Sequence, residues 1–318
     1  MPGEKYNYSN IGYEVLGCMI AEVSGVTFED YINQNILKRI DMKHSNMLLN
    51  NIDQELIACP NILDQDLKFK QNEFFPYTRR HAASGTLLSN VKDMCRFAVT
   101  ILNKGNIDGR RILEDSTLEK MLTPENDHPA GLGFQVEKID SMTTLIFHAG
   151  GDPGFRTEFI LIPEKEQGVV VMTNAWEHQV QPLAVKVLDL MAGNNETDWF
   201  TFYYGSTWKI IREYSIEVAI TKIKEFVIKN GFDNFHPSIL NQHGSLLQDL
   251  GRTADAVRIK ALNIEFYPKI FQLYNILAEL YIDLGDTLNA KLCYEQSIAI
   301  EPENNISVER LKILDLKD

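Results

Sequence analysis

The chain has 318 residues, 44% of them hydrophobic and 24% charged, the make-up of a globular protein long enough for two domains. Its net charge of −13, with no run of Lys or Arg beyond pairs such as Arg79-Arg80 and Arg110-Arg111, excludes a nucleic-acid partner, because neutralising phosphates needs clustered cations. No stretch of about 18 apolar residues occurs, and the opening Met-Pro-Gly-Glu-Lys-Tyr-Asn-Tyr has no signal-peptide core, so no membrane span is expected within this chain and its compartment stays open.

Residues 11–24 carry Ile11, Val15, Leu16, Met19, Ile20 and Val23 at the spacing of one helix face, and Gly25 stops the run. Thr27, followed three places on by Asp30, has the form of a capping box and opens a second helix through about Leu37. Residues 50–86 lack periodicity and hold Pro60, Pro76 and Gly85, which predicts a long loop region. Helical spacing returns over 87–103, and a short helix follows near Ser116–Leu122, closed by Pro124. Four β-rich runs then alternate with turns, at Gly131–Val136, Met142–His148, Arg156–Ile162 and Gly168–Thr173. Helices followed by an antiparallel sheet predict an α+β domain.

From about residue 196 the pattern changes. Gly251, Ala256 and Pro268 recur 34 positions later as Gly285, Ala290 and Pro302, which marks an internal repeat. Units 237–270 and 271–304 place small residues where two helices close and large ones along their seam, the tetratricopeptide pattern. Residues 216–229 suit a lone helix or half-repeat, and 306–316 a capping helix. The expected domains are 1–195, a linker at 196–214 and an all-α repeat domain at 215–318. Such repeats bind a protein or peptide in their concave groove, or serve as a structural or dimerisation arm.

Four cysteines, Cys18, Cys59, Cys95 and Cys293, show no metal or redox spacing, and Cys18, Cys95 and Cys293 fall in helical apolar patterns where a thiol acts as a small hydrophobe. His44, His81, His128, His178, His236 and His243 have no partner at metal spacing, so neither metal nor cofactor is expected.

Two clusters could carry chemistry. Tyr8 and Asn10 precede a helix and can project from one turn into a cleft; there a tyrosine can exchange a proton where cations lower its pKa, and an asparagine can orient a substrate. The plain alternative is a helix start with Ser9 or Asn10 as cap. His148-Ala149-Gly150-Gly151-Asp152-Pro153-Gly154-Phe155 ends a strand with bare backbone that a substrate can approach, or is a hairpin turn with an incidental histidine.

Pro2-Gly3, then Tyr8-Ser9-Asn10-Ile-Gly-Tyr-Glu-Val-Leu-Gly and Glu22-Val-Ser-Gly25, resemble the second motif block of the serine β-lactamase and penicillin-binding-protein family, nearest its class C and esterase-like branch. Leu87–Phe97, Ile112–Pro124, Gly131-Leu-Gly-Phe134, His148–Phe155, Pro163-Glu164 and Val169–Ala175 follow in that family's order, over about residues 1–175. The resemblance implies that His148-Ala149-Gly150 stands for the third motif, Lys-Thr-Gly. His148 would supply the motif's electrostatics, Gly150 a close approach to the acyl group, and the Gly151 N–H half of an oxyanion hole. The substrate would be a small acyl compound or peptide: an ester, a D-peptide or a β-lactam.

The family's nucleophile is the serine of Ser-x-x-Lys, which lies upstream of Tyr-x-Asn. Ser89-Asn-Val-Lys92 has the spacing, but it sits where a helix start is expected and reads as a cap. The chain is therefore expected to be a downstream portion of a hydrolase, truncated at its N-terminus and inactive alone, or a remnant domain kept as an interaction protein. Arg79-Arg80-His81 borders the family's cleft and could steer an anion, solvated loop charge being the ordinary reading.

Overall fold

The computed structural model describes residues 6–124, 128–176, 180–194 and 198–315; Pro2, Gly3 and His178 lie outside them. Two compact units result, Met1–Ile62 with Phe69–Asn195, and Leu63–Lys68 with Glu196–Asp318.

The first unit begins with α1 (Asn10–Ser24), where the Ser9 hydroxyl accepts from the Gly12 N–H at 3.1 Å and Gly25, at φ +70°, ends the helix. The capping box at Thr27 forms: its Oγ1 accepts from the Asp30 N–H at 3.1 Å and donates to the Asp30 carboxylate at 2.8 Å, starting α2 (Phe28–Ile32), which runs into a π-helical turn, Asn33–Leu37. The loop region holds a small hairpin, β1 (Asn61–Leu63) with β2 (Phe69–Gln71), and the four-residue α3 (Ala82–Gly85). Next come α4 (Val91–Leu102), the short pair β3 (Asn106–Ile107) and β4 (Arg110–Arg111), and α5 (Asp115–Met121). The cap of α4 is Asn90 rather than Ser89, its Oδ1 accepting from the Asp93 N–H at 3.0 Å. Ser89 instead sits 2.7 Å from the Ser45 hydroxyl, which donates to the buried Asp93 carboxylate.

The sheet has four antiparallel strands in the order β5 (Gln135–Lys138), β6 (Thr144–Asp152), β7 (Phe155–Ile162) and β8 (Gln167–Thr173). Side chains alternate between its faces. Ile146, Phe159, Leu161 and Val170 pack with Ala98 and Ile101 of α4 and Leu118 of α5. On the other face Ile160, Ile162 and Val169 pack on Ala184 and Leu188 of α6 (Val180–Met191), a helix the sequence reading did not single out. The apolar stripe of α1 turns outward: Ile11, Val15, Leu16, Met19 and Val23 are between 52% and 88% exposed, and only Gly17 of that helix is buried. Cys18 and Cys95 are likewise exposed, not the small core hydrophobes expected.

The second unit contains α7 (Trp199–Glu213), α8 (Ile216–Asn230), α9 (Ser238–Asp249), α10 (Thr253–Phe266), α11 (Phe271–Asp283), α12 (Thr287–Ile300) and α13 (Asn305–Asp315). The stretch expected as linker thus holds a helix, α7, which packs on α8 as α9 packs on α10 and α11 on α12. Its aromatic run explains this. Tyr203, Tyr204 and Trp208 are buried with Ile223, Val227, Phe235, Ile239 and Leu247.

The 34-residue period is exact in the packing: Gly244 and Ala278 are buried on the first helices of their pairs, Ala256 and Ala290 on the second. It extends to a polar contact. Tyr294 donates to the Glu279 carboxylate at 2.7 Å, and the same positions one repeat earlier are Lys260 and Ser245, where Nζ donates to the hydroxyl at 3.0 Å. The Lys260 stem fills the space that a Gly244 side chain would take, at 2.6 Å from an ideal Cβ.

Burial pulls the Lys260 ammonium down to about 8. A lysine whose folded-state pKa lies below its unfolded value costs stability below that folded value and ceases to do so as pH rises toward 10.5. Lys260→Met, similar in shape and uncharged, is expected to be more stable than the parent at pH 7 by on the order of 1 kcal/mol. Urea denaturation should show that advantage shrinking between pH 8 and pH 10.

Candidate active site

The site is built on β6 and the turn that follows it. β6 pairs with β7 from Ile146↔Leu161 to Asp152↔Phe155, leaving the two-residue loop Pro153-Gly154. Proline presets the first turn position, and Gly154 takes φ +98°, the φ pattern of a type II turn. No other residue fits there, since a Cβ on Gly154 would lie 2.3 Å from the Pro60 side chain. The Asn61 N–H reaches the Gly154 carbonyl at 3.4 Å, and Phe75 meets Phe155 edge-on at 5.7 Å. Two loops thereby hold the turn.

On its other side β6 pairs with β5 only as far as Phe147↔Gln135, so among the described residues the backbone of 148–152 has a strand partner on one edge alone. This is the bare stretch that holds Gly150 and Gly151. A Cβ at Gly150 would meet the Thr157 hydroxyl at 2.4 Å, and one at Gly151 the Arg156 guanidinium at 2.5 Å.

His148 shares a sheet face with Ile146 and Gly150. Its ring centroid lies 6.5 Å from that of Tyr8, which is 57% exposed just before α1. The histidine Nδ1 is 2.7 Å from its neighbour's carbonyl, Ala149 O. A carbonyl only accepts, so Nδ1 carries a proton in this contact. Asn10, the first residue of α1, has an exposed side chain, and Ser9 holds the capping role. Tyr8 and His148 therefore come together, the two glycines follow His148 along β6, and Asn10 stands at the head of α1 next to Tyr8 in sequence.

The α1 helix is tied to α3 by Glu14, whose carboxylate accepts from the Ala83 and Ser84 N–H groups at 3.3 and 3.2 Å. Of the loop cations, Arg79 is committed to the buried Glu29 at 2.7 Å, and its hydrogen bond holds that carboxyl below the usual range. Its side chain nevertheless stays 63% exposed.

Glu158 sits behind the site and was not anticipated. It lies opposite Ala149 on the α6 side of the sheet, 2% exposed, with Oε1 lacking a hydrogen-bond partner. Burial pushes its carboxyl up to about 7. Its signal in the sequence was an acid next to the apolar half of a strand, Phe-Arg-Thr-Glu-Phe-Ile-Leu-Ile, at the position that alternates with Ile160 and Ile162.

The chain contains a second Ser-x-x-Lys, Ser206-Thr-Trp-Lys209, which the sequence reading passed over. It lies on α7 in the second unit, and the Lys209 side chain is 72% exposed and 3.8 Å from Glu213. Lys92, the lysine of the other copy, is exposed as well. Neither has the enclosed lysine that activates a serine. Among the described residues no group of three or more His, Cys, Asp or Glu is placed to hold a metal ion.

A family model described as Beta-lactamase matches residues 1–190, and one described as Tetratricopeptide repeat matches residues 271–304. The chain belongs to the β-lactamase family. An N-acetylmuramyl-L-alanine amidase of Bacillus subtilis is 26% identical over 197 residues, 54% of this chain and 45% of the relative. A putative D-alanyl-D-alanine carboxypeptidase of Salmonella heidelberg is 26% identical over 162 residues, 45% of this chain and 37% of the relative. The chain spans less than half the length of these curated relatives. The octameric penicillin-binding protein homologue from Pyrococcus abyssi superposes with a TM-score of 0.57 at 28% identity, covering 66% of this chain and 48% of that one. The D-amino acid amidase from Ochrobactrum anthropi SV3, at a TM-score of 0.50 and 20% identity over 61% of this chain and 60% of that one, shares the fold.

Two substitutions test this geometry. Gly154→Ala meets both a left-handed φ and the Pro60 side chain, and is expected to lower stability by about 2 kcal/mol or more, read by thermal unfolding. Glu158→Gln removes a buried acid whose folded-state pKa lies above its unfolded value. Such a group's stabilisation is complete below the unfolded value and is lost as pH rises through about 7. Glu158→Gln should therefore gain on the parent by on the order of 1 kcal/mol between pH 5 and pH 8.

Proposed function

We propose that the first unit forms the substrate-side half of a serine acyl-transfer site acting on an ester, a D-peptide or a β-lactam. The observation that carries this reading is the placing of Tyr8 against His148, beside the bare backbone of Gly150 and Gly151. In this reading a serine hydroxyl adds to the substrate carbonyl. Tyr8 takes the hydroxyl proton and passes it to the leaving group, with the charge on Tyr8 tuned by His148. Asn10 orients the reacting groups. The Gly151 N–H is one of two donors to the oxyanion, and Gly150 lets the acyl group lie close to the strand.

In this reading the serine and its lysine come from outside these 318 residues, which the exposed lysine of both Ser-x-x-Lys copies supports. The chain by itself is accordingly a hydrolase half-site without its own nucleophile. The hydrolase domain corresponds to residues 1–195. The repeat module of 215–318 gains α7 as the partner of α8, so the proposed boundary moves upstream to about residue 198.

A second role is carried by the repeats: binding of a protein or peptide partner. The match of residues 271–304 to the tetratricopeptide model and the stacked helix pairs support it.

Incubating the full chain with a fluorescent penicillin and with a fluorophosphonate is expected to give no covalent labelling above a heat-denatured control. Labelling mapped to Ser89, Ser206 or any other serine of the chain would replace this reading. If the coding sequence upstream of Met1 contains Ser-x-x-Lys in frame, the half-site belongs to a longer enzyme.

A further inference from the structure

The substrate face of β6 carries one group that the reaction above does not use. His148, Gly150 and Asp152 alternate onto the same face of the strand, and Asp152 is its only acid. Gly150 leaves the floor between the two ionisable side chains bare, and the Cα atoms of His148 and Asp152 lie about 13 Å apart at the rise of an extended strand. A small substrate whose carbonyl sits at the Gly151 N–H, one residue from Asp152, therefore lies within reach of its carboxylate.

That carboxylate is uncommitted. Asp152 is exposed and has neither a hydrogen bond nor an ion pair among the described residues. Arg156, the nearest cation in sequence, pairs across from Gly151 on the opposite face and is stacked over the Trp176 ring at 3.7 Å. Arg79 is spent on Glu29. His81 is the one group whose charge is felt at Asp152, where it opposes the effect of partial burial on the carboxyl. The backbone beneath Asp152 is fixed by its pairing with Phe155, by the Gly154 turn against Pro60, and by the contact of Phe75 with Phe155. A free carboxylate on a rigid strand end, beside the bare backbone, is a built recognition point for a cation.

We infer that Asp152 is a specificity-determining residue that selects acyl donors bearing a free primary ammonium group close to the scissile carbonyl, over the same compounds with that amine blocked. The inference rests on the reading of β6 as the substrate wall. It makes the preferred substrate an amino amide, amino ester or peptide with an unblocked amino terminus. Blocking the amine removes the charge and leaves the carboxylate to be desolvated without a partner.

The test measures binding, so it needs no nucleophile. The full chain is titrated at pH 7 with D-alanyl-D-alanine and with N-acetyl-D-alanyl-D-alanine by isothermal calorimetry and ligand-observed NMR. The free amine is expected to bind about 5- to 10-fold more tightly, the share of one charge-assisted hydrogen bond. Asp152→Asn should abolish that preference while leaving the acetylated compound's affinity unchanged, and Asp152→Glu should restore part of it. Thermal unfolding of each variant confirms that it is folded. Equal binding of the two compounds by the parent chain, or a preference that survives Asp152→Asn, overturns the inference and leaves the site reading intact. If the parent chain binds neither compound, it is the site reading that fails, and the inference with it.

Discussion

The pairing of β6 with β7 through a two-residue turn is the constraint on which the first unit depends. A type II geometry at Pro153-Gly154 requires glycine at its second position, and the approach of Pro60 requires it again for reasons of space. With the turn fixed, register is fixed, and a slip of one residue would exchange the two faces of the sheet. Ile146, His148, Gly150 and Asp152 then share one face, while Phe147, Ala149 and Gly151 share the other with Glu158 and Ile160. The position of the histidine, the bareness of the backbone beside it and the burial of Glu158 all follow from that register.

The repeat unit answers to a different constraint, the close approach of paired helices. Gly244 with Ala256, and Ala278 with Ala290, allow it. The equivalence of Lys260–Ser245 with Tyr294–Glu279 shows how the same polar slot between two helices is filled by different chemistry. The tyrosine carries its hydroxyl on a rigid ring. The lysine needs a glycine opposite to admit its stem, and it retains an ammonium group in a place with little water.

Much of this was legible in the sequence, for reasons that can be named. The four strands, the capping box at Thr27 and the 34-residue repeat are local signals, and local signals survive without tertiary information. The β-lactamase resemblance was legible because its motifs lie in order along the chain. Other features were not. The outward stripe of α1 has the spacing of a core face, and spacing alone does not say which side a helix turns to its neighbours. The helix α7 was hidden by its aromatic composition, which suits strand or helix until packing decides. Within the site, the proximity of Tyr8 to His148 joins positions 140 apart in the chain, and only the family's motif order hinted at it.

The outward stripe of α1 has a colloidal consequence. Ile11, Val15, Met19 and Val23 recur every fourth residue and present a continuous apolar ridge to water. Mutual repulsion between molecules carrying a net charge of −13 is what opposes adhesion through that ridge. As acidification toward the isoelectric point of about 5.1 neutralises the chain, or as added salt shortens the range of the repulsion, that opposition fades. Between such molecules long-range charge works against a short-range adhesive strip, and ionic strength sets the balance between them.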